Sequence, residues 1–225
     1  MMKALIFAAA LLACASQVSA QLTYDLFYSL PGKVGSMGAD VGILSSDIAD
    51  ATDVADVPVM TKLSVRDNFE VGARVTSLES LVVGGKYKLG ESSALSAGVL
   101  LPLGDVDDPG LAVGYMISME AAGVTWNNQL HLGLLDGHTD GTGILVDILL
   151  EPYKELGDKI VGYLDILIAT NTDDIGGENL GINLGPNADY LLSDSMAINA
   201  GVTIGITGDA KTDDIGFSAT LLYVR

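Results

Sequence analysis

Eight charged side chains stand where they could act on a solute together. Lys62, Arg74, Lys86 and Lys88 occupy alternating positions in the first half of the chain, and Asp147, Glu151, Asp165 and Asp189 do so in the second. Cations on one wall of an enclosed space and carboxylates on the other would set up a transverse field, which orders water and selects polar solutes at a constriction. The same groups could instead pair directly and plug a narrow barrel. Other acids cluster between the patterned segments: Asp105, Asp107 and Asp108, Asp136 with Asp140, Asp173 and Asp174 with Glu178, and Asp209 with Asp213 and Asp214. Carboxylates one or two residues apart in Gly-rich loops suit Ca²⁺ or Mg²⁺. Asp105, Asp107 and Gly110 match the first, third and sixth positions of a calcium loop, but its twelfth position is Met116, which has no carboxylate. These clusters are therefore weak cation candidates beside the plainer role of keeping loops soluble and apart. The two histidines, His131 and His138, have neither metal-ligand spacing nor a patterned serine beside them. No enzyme signature, cofactor motif or confident metal site is expected.

The elements that must carry these groups have a period of two. From Leu180 to Leu192 the even positions are Leu, Ile, Leu, Pro, Ala, Tyr and Leu, set against Gly181, Asn183, Gly185, Asn187 and Asp189. The alternation resumes from Met196 to Ile206 and again from Ile215 to Tyr223. Helical spacing explains none of it, whereas antiparallel strands joined by tight turns explain all of it. The same reading along the chain gives strands near 37–46, 57–66, 69–77, 80–89, 94–103, 111–120, 124–134, 143–151, 159–169, 179–192, 196–206 and 215–224. Twelve strands of about ten residues match the length a tilted strand needs to cross a hydrocarbon layer. The expected fold is all-β, a closed antiparallel up-and-down transmembrane barrel over residues 37–225.

Period two also describes a soluble sandwich or a lipocalin-like barrel turned inside out, so the composition of each face must decide. The polar positions are mostly Gly, Ser, Thr and Asn rather than the Lys and Glu of a water-facing surface, and the apolar positions carry almost no ionisable side chain. A lipid-facing surface demands that, since Lys or Arg at the bilayer midplane costs about 2–4 kcal/mol. Loop lengths agree when the C-terminus is periplasmic. Short connections at 67–68, 90–93, 121–123 and 193–195 fall on that side, and longer acidic ones at 47–55, 104–110, 136–142, 171–178 and 208–214 fall outside. Two connections depart from the rule, a short external turn at 78–79 and a long periplasmic one at 152–158. On the apolar parity, Phe69, Tyr87, Trp126, Tyr190 and Tyr223 gather at the periplasmic ends of their strands, as an interfacial aromatic girdle would. Aromatics filling a soluble core would have no such preference.

Composition supports this placement. Of the 225 residues, 49% are hydrophobic and only 18% charged, against roughly 25% charged in ordinary soluble domains. The formal charge of −18, from 29 acids and 11 bases, excludes a general nucleic-acid binder. Residues 1–20 read as a signal peptide, with Lys3, an apolar run and Val18-Ser19-Ala20 before the expected cleavage at Gln21. Leu11-Leu12-Ala13-Cys14 offers an alternative lipoprotein site with Cys14 as the lipidated residue. Cys14 is the single cysteine, so cleavage after Ala20 leaves no disulfide. Residues 21–30 alternate too, with Leu22, Tyr24, Leu26, Tyr28 and Leu30, and suit a thirteenth strand, or residues 21–36 form an N-terminal extension or a plug. Thr-Asp-Asp-Ile-Gly occurs at 172–176 and at 212–216, either as a duplicated hairpin or by chance.

Gly84-Gly-Lys-Tyr-Lys-Leu89, followed by Ala94-Leu-Ser-Ala-Gly-Val-Leu-Leu-Pro-Leu-Gly-Asp105, resembles the outer-membrane barrels grouped as the phenol meta-pathway "transporter" family. Asn187 to Gly201 is similar to the penultimate hairpin of those barrels. The resemblance covers about a quarter of the chain and implies a barrel of about twelve strands for uptake of small, often hydrophobic, compounds. One departure is the C-terminus, Leu222-Tyr-Val-Arg225, since barrel assembly signals usually end in an aromatic residue. The expected function is a narrow porin-like channel in the outer membrane of a Gram-negative-type cell. Its partners would be outer-membrane lipid, the barrel assembly machinery, small solutes and, at the outer loops, divalent cations. The alternatives are a closed structural or surface-interaction barrel, or a soluble periplasmic β-protein.

Overall fold

The computed structural model describes residues 37–45, 59–75, 80–103, 109–135, 144–172, 180–207 and 215–224. Residues 1–36 lie outside the described residues, as do His138, the Asp105 to Asp108 cluster and all of the other acidic loop clusters. The described residues form twelve strands: β1 Met37–Ser45, β2 Val59–Arg66, β3 Phe69–Val75, β4 Ser80–Lys88, β5 Ser93–Pro102, β6 Gly110–Ala121, β7 Val124–Leu135, β8 Leu145–Glu155, β9 Ile160–Asn171, β10 Gly181–Ser193, β11 Met196–Thr207 and β12 Ile215–Val224. Each strand pairs antiparallel with its sequence neighbours, and β1 also pairs with β12, from Gly38 opposite Val224 to Ser45 opposite Phe217. The sheet therefore closes on itself and keeps no free edge. No helix among the described residues is long and apolar enough to cross a membrane.

Alternation produces this ladder because successive side chains of a strand point to opposite faces. Turn chemistry sets the register. Ala122 and Gly123 both hold positive φ, 54° and 74°, in the two-residue connection of β6 and β7. Such turns carry a twist that matches the flanking strands. Asp67-Asn68 and Asp194-Ser195 make equally short connections at the same end.

One connection differs from the sequence expectation. β8 does not stop before Pro152 but runs on to Glu155, and the connection shrinks to residues 156–159, closed by Leu156 N–H donating to Ile160 O at 2.9 Å. Proline argues against a central strand because it cannot donate to the ladder. Here Pro152 sits opposite Trp126 of β7, and the register with β9 passes from Leu150 opposite Ile166 to Tyr153 opposite Tyr163. The missing donor thus falls in one interrupted step, and pairing resumes beyond it. With that change this end of the barrel carries only short connections.

The surface is inverted relative to a water-soluble protein. Exposed side chains include Leu63, Val83, Val99, Leu130, Ile148, Ile198, Phe217 and Leu221, with Tyr87 at 48% and Leu95 at 47% exposure. Buried ones include Lys62, Glu70, Arg74, Lys86, Gln129, His131, Asp147, Glu151, Asn183, Asp189 and Asn199. Charged residues are the ones least often buried in soluble folds. Apolar side chains also face inward near the short-turn end, where Leu191, Ala197 and Leu222 pack together and Tyr153 lies on Val161 and Tyr163.

Candidate functional site: a polar lumen with opposed walls

The inward positions of β2, β3 and β4 bring four cations to one wall. Lys62, Arg74 and Lys86 are buried and Lys88 is half-buried. Among them lies Glu70, which parity counting passed over. It accepts a hydrogen bond from Ser64 Oγ at 3.2 Å, lies 4.0 Å from Lys62 Nζ, and stands directly opposite Lys86 in the ladder. Its position was legible, since Glu70 shares the parity of Arg74 four residues on.

Six strands further round the ring, β8, β9 and β10 bring up the acids. Asp147, Glu151 and Asp189 are buried, and Asp165 is half-buried. Amide and phenol groups hold them. Asn127 Nδ2 donates to Glu151 Oε1 at 3.0 Å, and Asn187 Nδ2 donates to Asp165 Oδ2 at 2.6 Å and to Gly185 O at 2.7 Å. Tyr163 OH and Asn199 Nδ2 each donate to Asp189 Oδ1 at 2.8 Å, and Asn199 also donates to the Tyr163 hydroxyl. Sequence reasoning missed these holders because Asn and Tyr on a polar parity carry no charge signal.

Glycine makes this arrangement possible at one point. A Cβ on Gly201 would overlap the Asn187 side chain, so Asn187 reaches Asp165 only because β11 has no side chain there. Asn187 and Gly201 face each other in the ladder.

Lys86, Glu151 and Asp189 show no exposed surface. The lumen at their level is filled by side chains. Charge is nevertheless sorted, with no Lys or Arg at the inward positions of β8 to β10. This gives the interior a field directed from the β2 to β4 wall towards the β8 to β10 wall.

The outer face carries the five aromatics read from the sequence. Tyr87, Tyr190 and Tyr223 are exposed, and Phe69 and Trp126 are half-buried. All five lie towards the short-turn end. Phe69 stands opposite Tyr87 and covers Gly85, its ring about 3 Å from where a Cβ would be. Lys159 Nζ sits 5.9 Å from the Tyr190 ring centre. Tyr115 joins the set, and with Phe69, Tyr87, Leu95 and Leu130 it borders an open apolar groove of about 650 Å³ on the outer wall. No group of three or more potential ligands among the described residues could hold a metal ion.

Solved structures share this architecture. The NanC porin in a rhombohedral crystal form matches with a TM-score of 0.54 at 7% identity, covering 84% of this chain and 98% of that one. The KdgM porin matches with a TM-score of 0.57 at 9% identity, covering 83% and 98%. The fold is porin-like. The KdgM porin in complex with disordered oligogalacturonate matches similarly, with a TM-score of 0.56 at 7% identity and coverage of 84% and 98%. No family model matches the chain, and no curated protein matches it in sequence.

Proposed function

We propose that the protein is an outer-membrane β-barrel that acts as a narrow channel for small polar solutes. The carrying observation is the inversion of its surface. An outer wall of Leu, Ile, Val and aromatic side chains encloses buried Lys, Arg, Asp and Glu, an arrangement that suits hydrocarbon outside and water inside. The aromatic end is then the periplasmic interface, and the outer loops are extracellular.

Charge sorting favours a channel over an inert barrel. Four cations, with Glu70 among them, line one wall and four acids line the other, and the resulting field is useful where water and solutes pass through it. Full burial of Lys86, Glu151 and Asp189 fills the lumen at their level, so a small solute passes only where these side chains move aside. That same burial favours the second reading, a closed structural barrel. The resemblance in Gly84–Leu89 and Ala94–Asp105 also implies uptake of small compounds, often hydrophobic ones. Swelling of proteoliposomes separates the readings. A channel admits small amino acids or pentoses and excludes larger oligosaccharides, and vesicles that swell with no solute would establish the closed barrel.

A further inference from the structure

Along β7 the outer face reads Trp126, Asn128, Leu130 and Leu132 from the short-turn end onwards. Asn128 interrupts an apolar wall, since it stands opposite Ile117 of β6 and Leu150 of β8 in the ladder. It is half-buried, and its Oδ1 is covered yet accepts no hydrogen bond among the described residues. A carboxamide set against hydrocarbon without a partner is costly, because nothing there replaces the bonds it makes to water. Leu130 and Leu132, the next two outward positions, form one end of the open groove of about 650 Å³. Phe69, folded over Gly85, forms the other end, and Ala97 lies on the floor. Register explains the depression. The outward row of Gly85, Ala97 and Val113 runs beside the row of Tyr87, Leu95 and Tyr115, so small side chains lie next to a bulky ridge.

We infer that this groove and Asn128 together bind a glycerophospholipid of the periplasmic leaflet. One acyl chain lies in the groove, and an ester carbonyl of the lipid accepts a hydrogen bond from Asn128 Nδ2. The volume falls within the roughly 300–1,000 Å³ of sites that hold small molecules. The lining is mostly apolar, and the amide stands where the acyl chain must end, two residues or about 7 Å along the strand from Trp126. Indole and tyrosine rings mark the depth at which hydrocarbon meets headgroups, so the ester groups of a lipid lie at this level. Continuity sets the occupant, because the groove opens on the wall that hydrocarbon covers. The site rests on the lipid-facing reading of that wall and is independent of whether the lumen conducts.

The test uses the full-length folded barrel in dodecyl maltoside micelles, titrated with a phosphatidylethanolamine whose acyl chains carry bromine near the ester. Trp126 is the single tryptophan of the chain, so quenching of its fluorescence by bromine reports lipid at this place alone. Quenching should level off at one lipid per barrel, and native mass spectrometry should show one barrel carrying one lipid. Asn128→Leu, which makes the wall more apolar and keeps the fold, should raise the midpoint about 10-fold, the scale of one lost hydrogen bond. Ala97→Phe, which fills the floor, should raise it at least as much. Ile198→Phe, on the outer wall of β11, should leave it unchanged. Gel mobility of unheated samples reports folding for each variant. Quenching that rises with lipid and never levels off, or a plateau that Asn128→Leu or Ala97→Phe fails to move, would overturn the site while leaving the lipid-facing wall in place. A lipid-free dimer would assign the groove to a second copy of the chain instead. No quenching at all would remove the lipid-facing reading and the site with it.

Discussion

Placing one arginine on each face of a single strand tests the inversion directly. Val202 lies mid-way along β11 on the outer face, opposite Phe217, whereas Thr203 points into the lumen opposite Gly216. Its other flank is also open, since the β10 register passes Gly185 between Leu184 opposite Ile204 and Asn187 opposite Gly201. Arginine at Val202 must put a guanidinium into hydrocarbon at a depth from which it cannot easily reach the interface. This costs about 2–4 kcal/mol, or roughly 30- to 1,000-fold in the folding equilibrium at 1.4 kcal/mol per decade. Arginine at Thr203 enters a polar space beside two glycines and near the acid wall, and should cost about 1 kcal/mol or less. Urea titration of folding into lipid vesicles, read by the mobility shift of unheated samples, measures both. Equal losses at the two positions would refute the assignment of faces.

Five further substitutions probe the interior and the turns. Gly201→Ala should displace Asn187 from Asp165 and destabilise the barrel by about 1–3 kcal/mol. In the same titration, adding Asn187→Ala on top should cost little more, because the lost bond is shared. Tyr163→Phe removes one donor from Asp189 and should cost about 1–3 kcal/mol while leaving strand content by circular dichroism unchanged. Gly123→Val places a β-branched residue at φ 74° and should cost about 1–2 kcal/mol in the vesicle titration, while Ala122→Asn should be neutral or stabilising.

Strands and faces were legible because period two needs only local sequence. Tyr87, Tyr190 and Tyr223 could be placed on the outer wall, and Lys86 and Asp189 on the inner one, by counting parity alone. The extension of β8 was hidden by Pro152, whose usual meaning was reversed by neighbouring strands that pair on both sides of the gap. Glu70 was readable by the same parity but was passed over, although it lies 4.0 Å from Lys62 Nζ. That Ser96, His131 and Asp147 share one inward row was not readable from spacing. Their alignment on one row depends on the register of three hairpins in succession, and a shift of two residues at any turn would preserve every face while separating them. The same holds for Asn127 and Glu151, or Tyr163 and Asp189, whose hydrogen bonds join different strands.

The central claim, a charge-sorted lumen that passes small solutes, is tested most directly by the zero-current potential across planar bilayers under a salt gradient. Wild type is compared with the double variant Asp147→Asn and Asp165→Asn. The wild-type barrel should conduct, and the double variant should shift selectivity towards anions, because the field left by Lys62, Arg74, Lys86 and Lys88 is positive. A conducting wild type whose selectivity ignores the change would contradict the role of the opposed walls. A silent wild type, with a double variant that unfolds more easily, would show the charges to be a packed plug.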